Sequence, residues 1–93
     1  MLHWVDGQPA ASLPLVDRGL AYGDGLFETM AVQNGRPVLL ERHLARATAG
    51  CARLRIDLDA SRLRSEVSAF CAELGQGVAK LIVTRGDGQR GYA

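Results

Sequence analysis

Lysine is almost missing from this sequence. Of its 11 basic residues ten are arginines, and Lys80 stands alone. Set against 10 acidic residues, they leave a net charge of +1, which gives no electrostatic reason to expect a nucleic-acid or membrane-surface partner. Cysteines number two, and Cys51 and Cys71 do not form a CxxC pair. Both fall at apolar positions of helical periodicity, so they read as small buried hydrophobes in a reducing, cytoplasmic setting. No apolar run approaches the roughly 20 residues of a membrane span. The opening MLHWVDGQPA has neither the basic start nor the long apolar stretch of a signal peptide. With two scattered histidines, His3 and His43, no metal-ligand cluster is expected, and no Ser/His/Asp arrangement can be drawn. No GxxxxGK[ST] phosphate loop is present, and the GDG of residues 23–25 does not continue as GxGxxG.

What remains is an ordinary globular composition in 93 residues, enough for one small domain. Leu2 to Val5 reads as a short strand turning at Asp6-Gly7. Leu26 to Gln33 predicts a strand, Asn34-Gly35 a two-residue type I′ turn, and Pro37 to Leu40 the return, at a sheet edge because proline donates nothing to a ladder. Leu40, Leu44, Ala47, Cys51 and Leu54 then step by four and three, one face of a helix. A second helix, capped by Asp59 or Ser61, buries Leu63, Val67, Phe70, Cys71 and Leu74 and stops at Gly75. GVAKLIVTRG follows as a β-branched strand expected to be covered on both faces. The order β-β-β-α-α-β predicts an α+β domain: a small two-layer fold with an antiparallel sheet and two helices on one side. The turn-rich end, RGDGQRGYA, reads either as a short tail or as the point where a longer protein continues.

Four features could carry chemistry. The GDG of residues 23–25 has the look of a phosphate cradle, but such cradles work because a helix starts directly after them. Here a strand follows, so the glycines read as backbone geometry at the strand's entry. His43 and Arg46 lie three apart and share a helix face. Arg46 could grip a phosphate or carboxylate with two N–H groups, or belong with Arg42 and Arg53 to a solvated stripe. Arg85 and Arg90, with Tyr92, sit in a glycine-loosened loop and could receive a small carboxylate, or form plain surface. Lys80 could be a Schiff-base amine or an edge lysine.

Three segments together, DRGLAYGDGLFETM with its NG hairpin, LLERHLARATAGCARLRI and AKLIVTRGDGQRGY, resemble the small N-terminal domain of the fold-type IV pyridoxal-phosphate enzymes. That family comprises branched-chain and D-amino-acid aminotransferases and aminodeoxychorismate lyases. Phe27 where the D-amino-acid enzymes usually place tyrosine, the RG…RGY ending, and Tyr92 where they would have histidine resemble the lyase branch. That branch releases pyruvate from 4-amino-4-deoxychorismate and leaves 4-aminobenzoate, a folate precursor. The resemblance implies pyridoxal 5'-phosphate as cofactor and Arg46 as its phosphate ligand. It implies Arg90, Tyr92 and Phe27 on the substrate side, and a homodimer. It places the Schiff-base lysine and the glutamate facing the pyridine nitrogen in a C-terminal domain beyond residues 1–93. By that reckoning no catalytic residue lies in this chain, and Lys80 is a sheet residue. An aminotransferase of the same family and a self-standing anion-binding or interaction module are the other expectations.

Overall fold

Asn34 and Gly35 adopt φ of 53° and 73°, the pair of positive angles a type I′ turn requires, and that turn sets the register of the sheet. The computed structural model describes residues 2–13, 17 and 23–86. In it, β1 (Trp4–Val5) and β2 (Gln8–Pro9) form a two-stranded antiparallel ribbon. A second antiparallel sheet has the order β4-β3-β5, from β3 (Gly25–Gln33), β4 (Arg36–Pro37) and β5 (Gly77–Thr84). Helices α1 (Leu40–Leu54) and α2 (Ala60–Leu74) pack on one side of it. The α+β class is as expected, with one more strand than the sequence suggested: β2 is the second arm of the Asp6-Gly7 hairpin.

The alternation along β3 decides where the core lies. Glu28, Met30 and Val32 are buried while Phe27, Thr29, Ala31 and Gln33 are exposed, as a period of two demands. Met30, Val32 and Ala79 from the sheet meet Leu44 of α1 and Leu63, Val67 and Cys71 of α2. Each fully buried aliphatic side chain of this kind contributes about 1.5–3 kcal/mol. Trp4 closes the far end, its ring meeting Phe70 edge-on at 5.4 Å. The Asn34 N–H donates to the Gln76 carboxamide and the Gly35 N–H to the Gly75 carbonyl at 2.8 Å, so the hairpin turn is tied to the end of α2.

Two local expectations give way. The return strand is only Arg36–Pro37; Val38 still donates to Ala31 at 2.8 Å, but Leu39 takes φ 59° and turns the chain into α1. Pro37 lies on an edge strand, where its missing N–H costs nothing. The second correction concerns β5. Val78 and Ile82 are 67% and 61% exposed, so only one face of that strand is covered among the described residues. A β-branched run looks the same in sequence whether its second face meets this part of the chain or something else.

The helix ends are resolved by hydrogen bonds. Arg55 takes the left-handed position after α1, its N–H donating to Ala52 and that of Ile56 to Cys51, a Schellman arrangement built on arginine. Of the two candidate caps for α2, Asp59 is the one used, accepting from the Arg62 N–H at 3.1 Å. Cys51 and Cys71 are free and buried, and burial pushes both thiols above their usual pKa. Neither should react with iodoacetamide at neutral pH until the protein is unfolded. Peptide mass mapping checks this, and rapid native labelling at either position would contradict the packing.

Candidate functional site

The inward row of β3 reads Leu26, Glu28, Met30, Val32, and the acid is the odd member. Glu28 is 8% exposed and lies under α1, where it is met by two side chains spaced three apart on that helix. His43 Nδ1 hydrogen-bonds Glu28 Oε1 at 2.8 Å, and Arg46 Nε lies 3.6 Å from Glu28 Oε2. A buried carboxylate needs such partners, and Glu28 gains one contact to each oxygen. The Arg46 side chain is 69% exposed, and among the described residues its terminal amino groups have no protein partner. The result is a guanidinium steadied from below through Nε with its two-pronged end turned outward, the geometry that suits a phosphate or carboxylate. It is neither a bare member of a solvated stripe nor a closed ion pair.

Phe27 lies on the opposite face of β3 from Glu28, 63% exposed. Its cross-strand neighbour is Ile82, and the Lys80 Nζ sits 4.8 Å from its ring centroid. A shallow, mainly apolar hollow of ≈ 340 Å³ runs from Phe27 and Ile82 past Gly25 and Thr84 to Leu13. Arg46 does not line it, so the two sequence-derived positions belong to opposite faces of one strand. Arg90 and Tyr92 lie outside the described residues.

Arg85 has a different job from the one the sequence suggested. Its Nε and Nη2 donate to the two Asp24 carboxylate oxygens at 2.7 and 3.2 Å, and Nη1 donates to the Arg55 carbonyl at 2.9 Å. Nη2 also donates to the Leu54 carbonyl. Arg85 therefore joins the GDG turn to the C-terminus of α1, and it is not turned toward a small carboxylate. Gly25 is required for the same junction: a Cβ there would fall 2.3 Å from the Val83 carbonyl oxygen. Thr84 hydroxyl donates to Asp17 at 2.9 Å nearby. The GDG is thus a structural corner, as its position before a strand implied.

Sequence reasoning missed Glu28 and Asp24. The signal for Glu28 was present, because an acid in the buried register of an amphipathic strand needs a partner, and His43 and Arg46 were the polar side chains sharing the neighbouring helix face. Asp24 gave no comparable signal, since its partner lies 61 residues away.

Comparison with known proteins now bears on the same residues. The profile of the Amino-transferase class IV family matches residues 25–93. The chain belongs to this family. A class IV relative, an aminodeoxychorismate lyase of Vibrio harveyi, is 34% identical over 94 residues, covering 99% of this chain and 34% of that protein. The crystal structure of a 4-amino-4-deoxychorismate lyase from Pseudomonas aeruginosa matches with a TM-score of 0.89 and 71% identity, over 97% of this chain and 33% of that one. The PLP-bound form of a hypothetical aminotransferase from Mycobacterium tuberculosis matches with a TM-score of 0.75 and 31% identity, over 83% of this chain and 29% of that one. The class IV chain described here therefore spans about a third of the length of these relatives. Among its described residues no helix is long and apolar enough to cross a membrane.

Proposed function

We propose that this chain is the N-terminal small domain of a pyridoxal-phosphate-dependent 4-amino-4-deoxychorismate lyase, a cytoplasmic homodimer acting in folate synthesis. The observation that carries the reading is the 71% identity over 97% of the chain to a lyase of that activity. The catalytic domain, with the lysine that holds the cofactor, lies in the rest of the protein, and residues 1–93 alone are inactive.

The donor set fits the cofactor's phosphate. Arg46 offers an outward guanidinium to a dianion, and Glu28 restrains its Nε side so that the prongs are already oriented when the phosphate arrives. His43, on the other Glu28 oxygen, stops that carboxylate from swinging away. Pyridoxal phosphate supplies an electron sink for bond cleavage next to the substrate amine. Phe27 forms an apolar wall on the substrate side, keeping water from the substrate ring, and Arg90 and Tyr92 meet a substrate carboxylate. None of these residues moves a proton at the reacting atoms, so no catalytic residue is assigned to this chain.

An aminotransferase is the second reading, favoured by the 31% identity to the hypothetical aminotransferase. The full-length protein given aminodeoxychorismate decides between them. Stoichiometric pyruvate and 4-aminobenzoate are expected. Amino exchange with a keto acid, without pyruvate release from aminodeoxychorismate, would sink the lyase assignment.

A further inference from the structure

The outward face of the main sheet has a composition suited neither to water nor to a dry protein interface. Its rows pair Phe27 with Ile82, Thr29 with Lys80 and Ala31 with Val78 across β3 and β5. Phe27, Val78 and Ile82 are each more than 60% exposed, a patch too apolar for an ordinary solvent face. Yet the chain's one lysine lies at its centre. In a dry interface an ammonium without an acid beside it is costly, and among the described residues no carboxylate pairs with Lys80. Its Nζ instead sits 4.8 Å from the Phe27 ring centroid. An apolar floor with one placed charge, next to a hollow that Phe27 and Ile82 line, is how sites for small organic anions are built.

We infer that Lys80 is a specificity-determining residue: its ammonium receives the ring carboxylate of the substrate while Phe27 and Ile82 pack against the ring. The inference rests on the lyase reading above. Aminodeoxychorismate carries a carboxylate on its six-membered ring as well as one on the enolpyruvyl arm, whereas a simple α-amino acid has no ring carboxylate. Lys80 thus distinguishes the lyase substrate from the amino acids a related transaminase takes. Lys80 lies on the edge strand β5, and its side chain is exposed on the open face of the sheet, where the ammonium can meet a ligand.

The test uses the full-length holoenzyme and two probes of one shape, 4-aminobenzoate and neutral 4-aminobenzamide, as inhibitors. Wild type should favour the acid by about 10- to 100-fold, the span of a hydrogen-bonded charge pair. Lys80→Met should bring that preference to within about twofold, with the melting temperature and pyridoxal-phosphate affinity retained, and Lys80→Arg should keep most of it. If Lys80→Met keeps the full preference while wild type releases pyruvate, the inference fails and the lyase reading stands. Equal weakening of both probes with a large drop in melting temperature would also overturn it, marking Lys80 as an interface ion. A wild-type enzyme that releases no pyruvate overturns the lyase reading, and this inference with it.

Discussion

In the full-length enzyme, Arg46→Ala is expected to raise the dissociation constant for pyridoxal phosphate by about 30- to 100-fold, the loss of a charge-assisted phosphate grip. The melting temperature of the cofactor-free protein should hardly move. The reason lies in the exposure of the side chain: at 69% it covers little of the core, so its removal opens no cavity. Its Nε contact with Glu28 is long at 3.6 Å, and Glu28 keeps the 2.8 Å hydrogen bond from His43 when Arg46 is gone. Glu28→Gln provides the graded comparison. It leaves the guanidinium charge but removes the charge that orients it, so the loss of cofactor affinity should be several-fold and smaller than for Arg46→Ala. Fluorescence titration of the apoenzyme with pyridoxal phosphate measures both. An Arg46→Ala enzyme with wild-type cofactor affinity would show that the outward guanidinium is only a solvated helix residue.

The periodicities that place Arg46 were visible without coordinates. Leu40, Leu44, Ala47 and Cys51 define the buried stripe of α1, and a helix of 3.6 residues per turn then puts His43 and Arg46 together at its margin. Asn34-Gly35 could be assigned from the dipeptide alone, because few residues tolerate two successive positive φ angles. What the sequence hid is long-range or ambiguous. Leu39 at φ 59° ends β4 early, and an aliphatic residue is a poor advertisement for that conformation. Arg55 at the C-cap of α1 stands where glycine is usual, and the arginine is tolerated because Ile56 buries itself behind it. The open face of β5 was misjudged because Val78 and Ile82 announce burial without saying against what. Lys80, between them, is the residue on which the proposed substrate-side role of that face rests. Arg85 was grouped with Arg90 by proximity in sequence, whereas its partners come from the GDG turn and the end of α1.

Arg85→Met should produce the largest change in the described fold, lowering the local stability of the α1–GDG junction by about 2–3 kcal/mol. A fully buried pair broken on one side costs more than this; the figure is reduced because Arg85 and Asp24 keep 21% and 16% of their side-chain surface. Three things fail together. Asp24 loses both guanidinium contacts, the Leu54 and Arg55 carbonyls at the negative end of the helix lose a cation, and the turn entering β3 loses its side-chain tie to the end of α1. Arg85→Lys should recover only part of the loss, since a single ammonium cannot span a bidentate carboxylate and two carbonyls at once. The backbone bond from the Arg85 N–H to the Asp24 carbonyl, 3.2 Å long, is independent of the side chain and gives the substituted protein a remaining tether. Hydrogen exchange on the full-length protein isolates the effect: the Arg55 and Ile56 amides, which close the Schellman turn, should exchange about 30- to 150-fold faster. The amides of α2 should change little, because Asp59 caps that helix separately and its core residues do not touch the junction. Unchanged protection at Arg55 and Ile56 would mean that Arg85 is an ornament of the loop and that Gly25 alone holds the corner. Selective loss there ties the GDG motif to the end of the helix that carries Arg46, and so makes this glycine turn part of the mounting for the residue proposed to bind the phosphate.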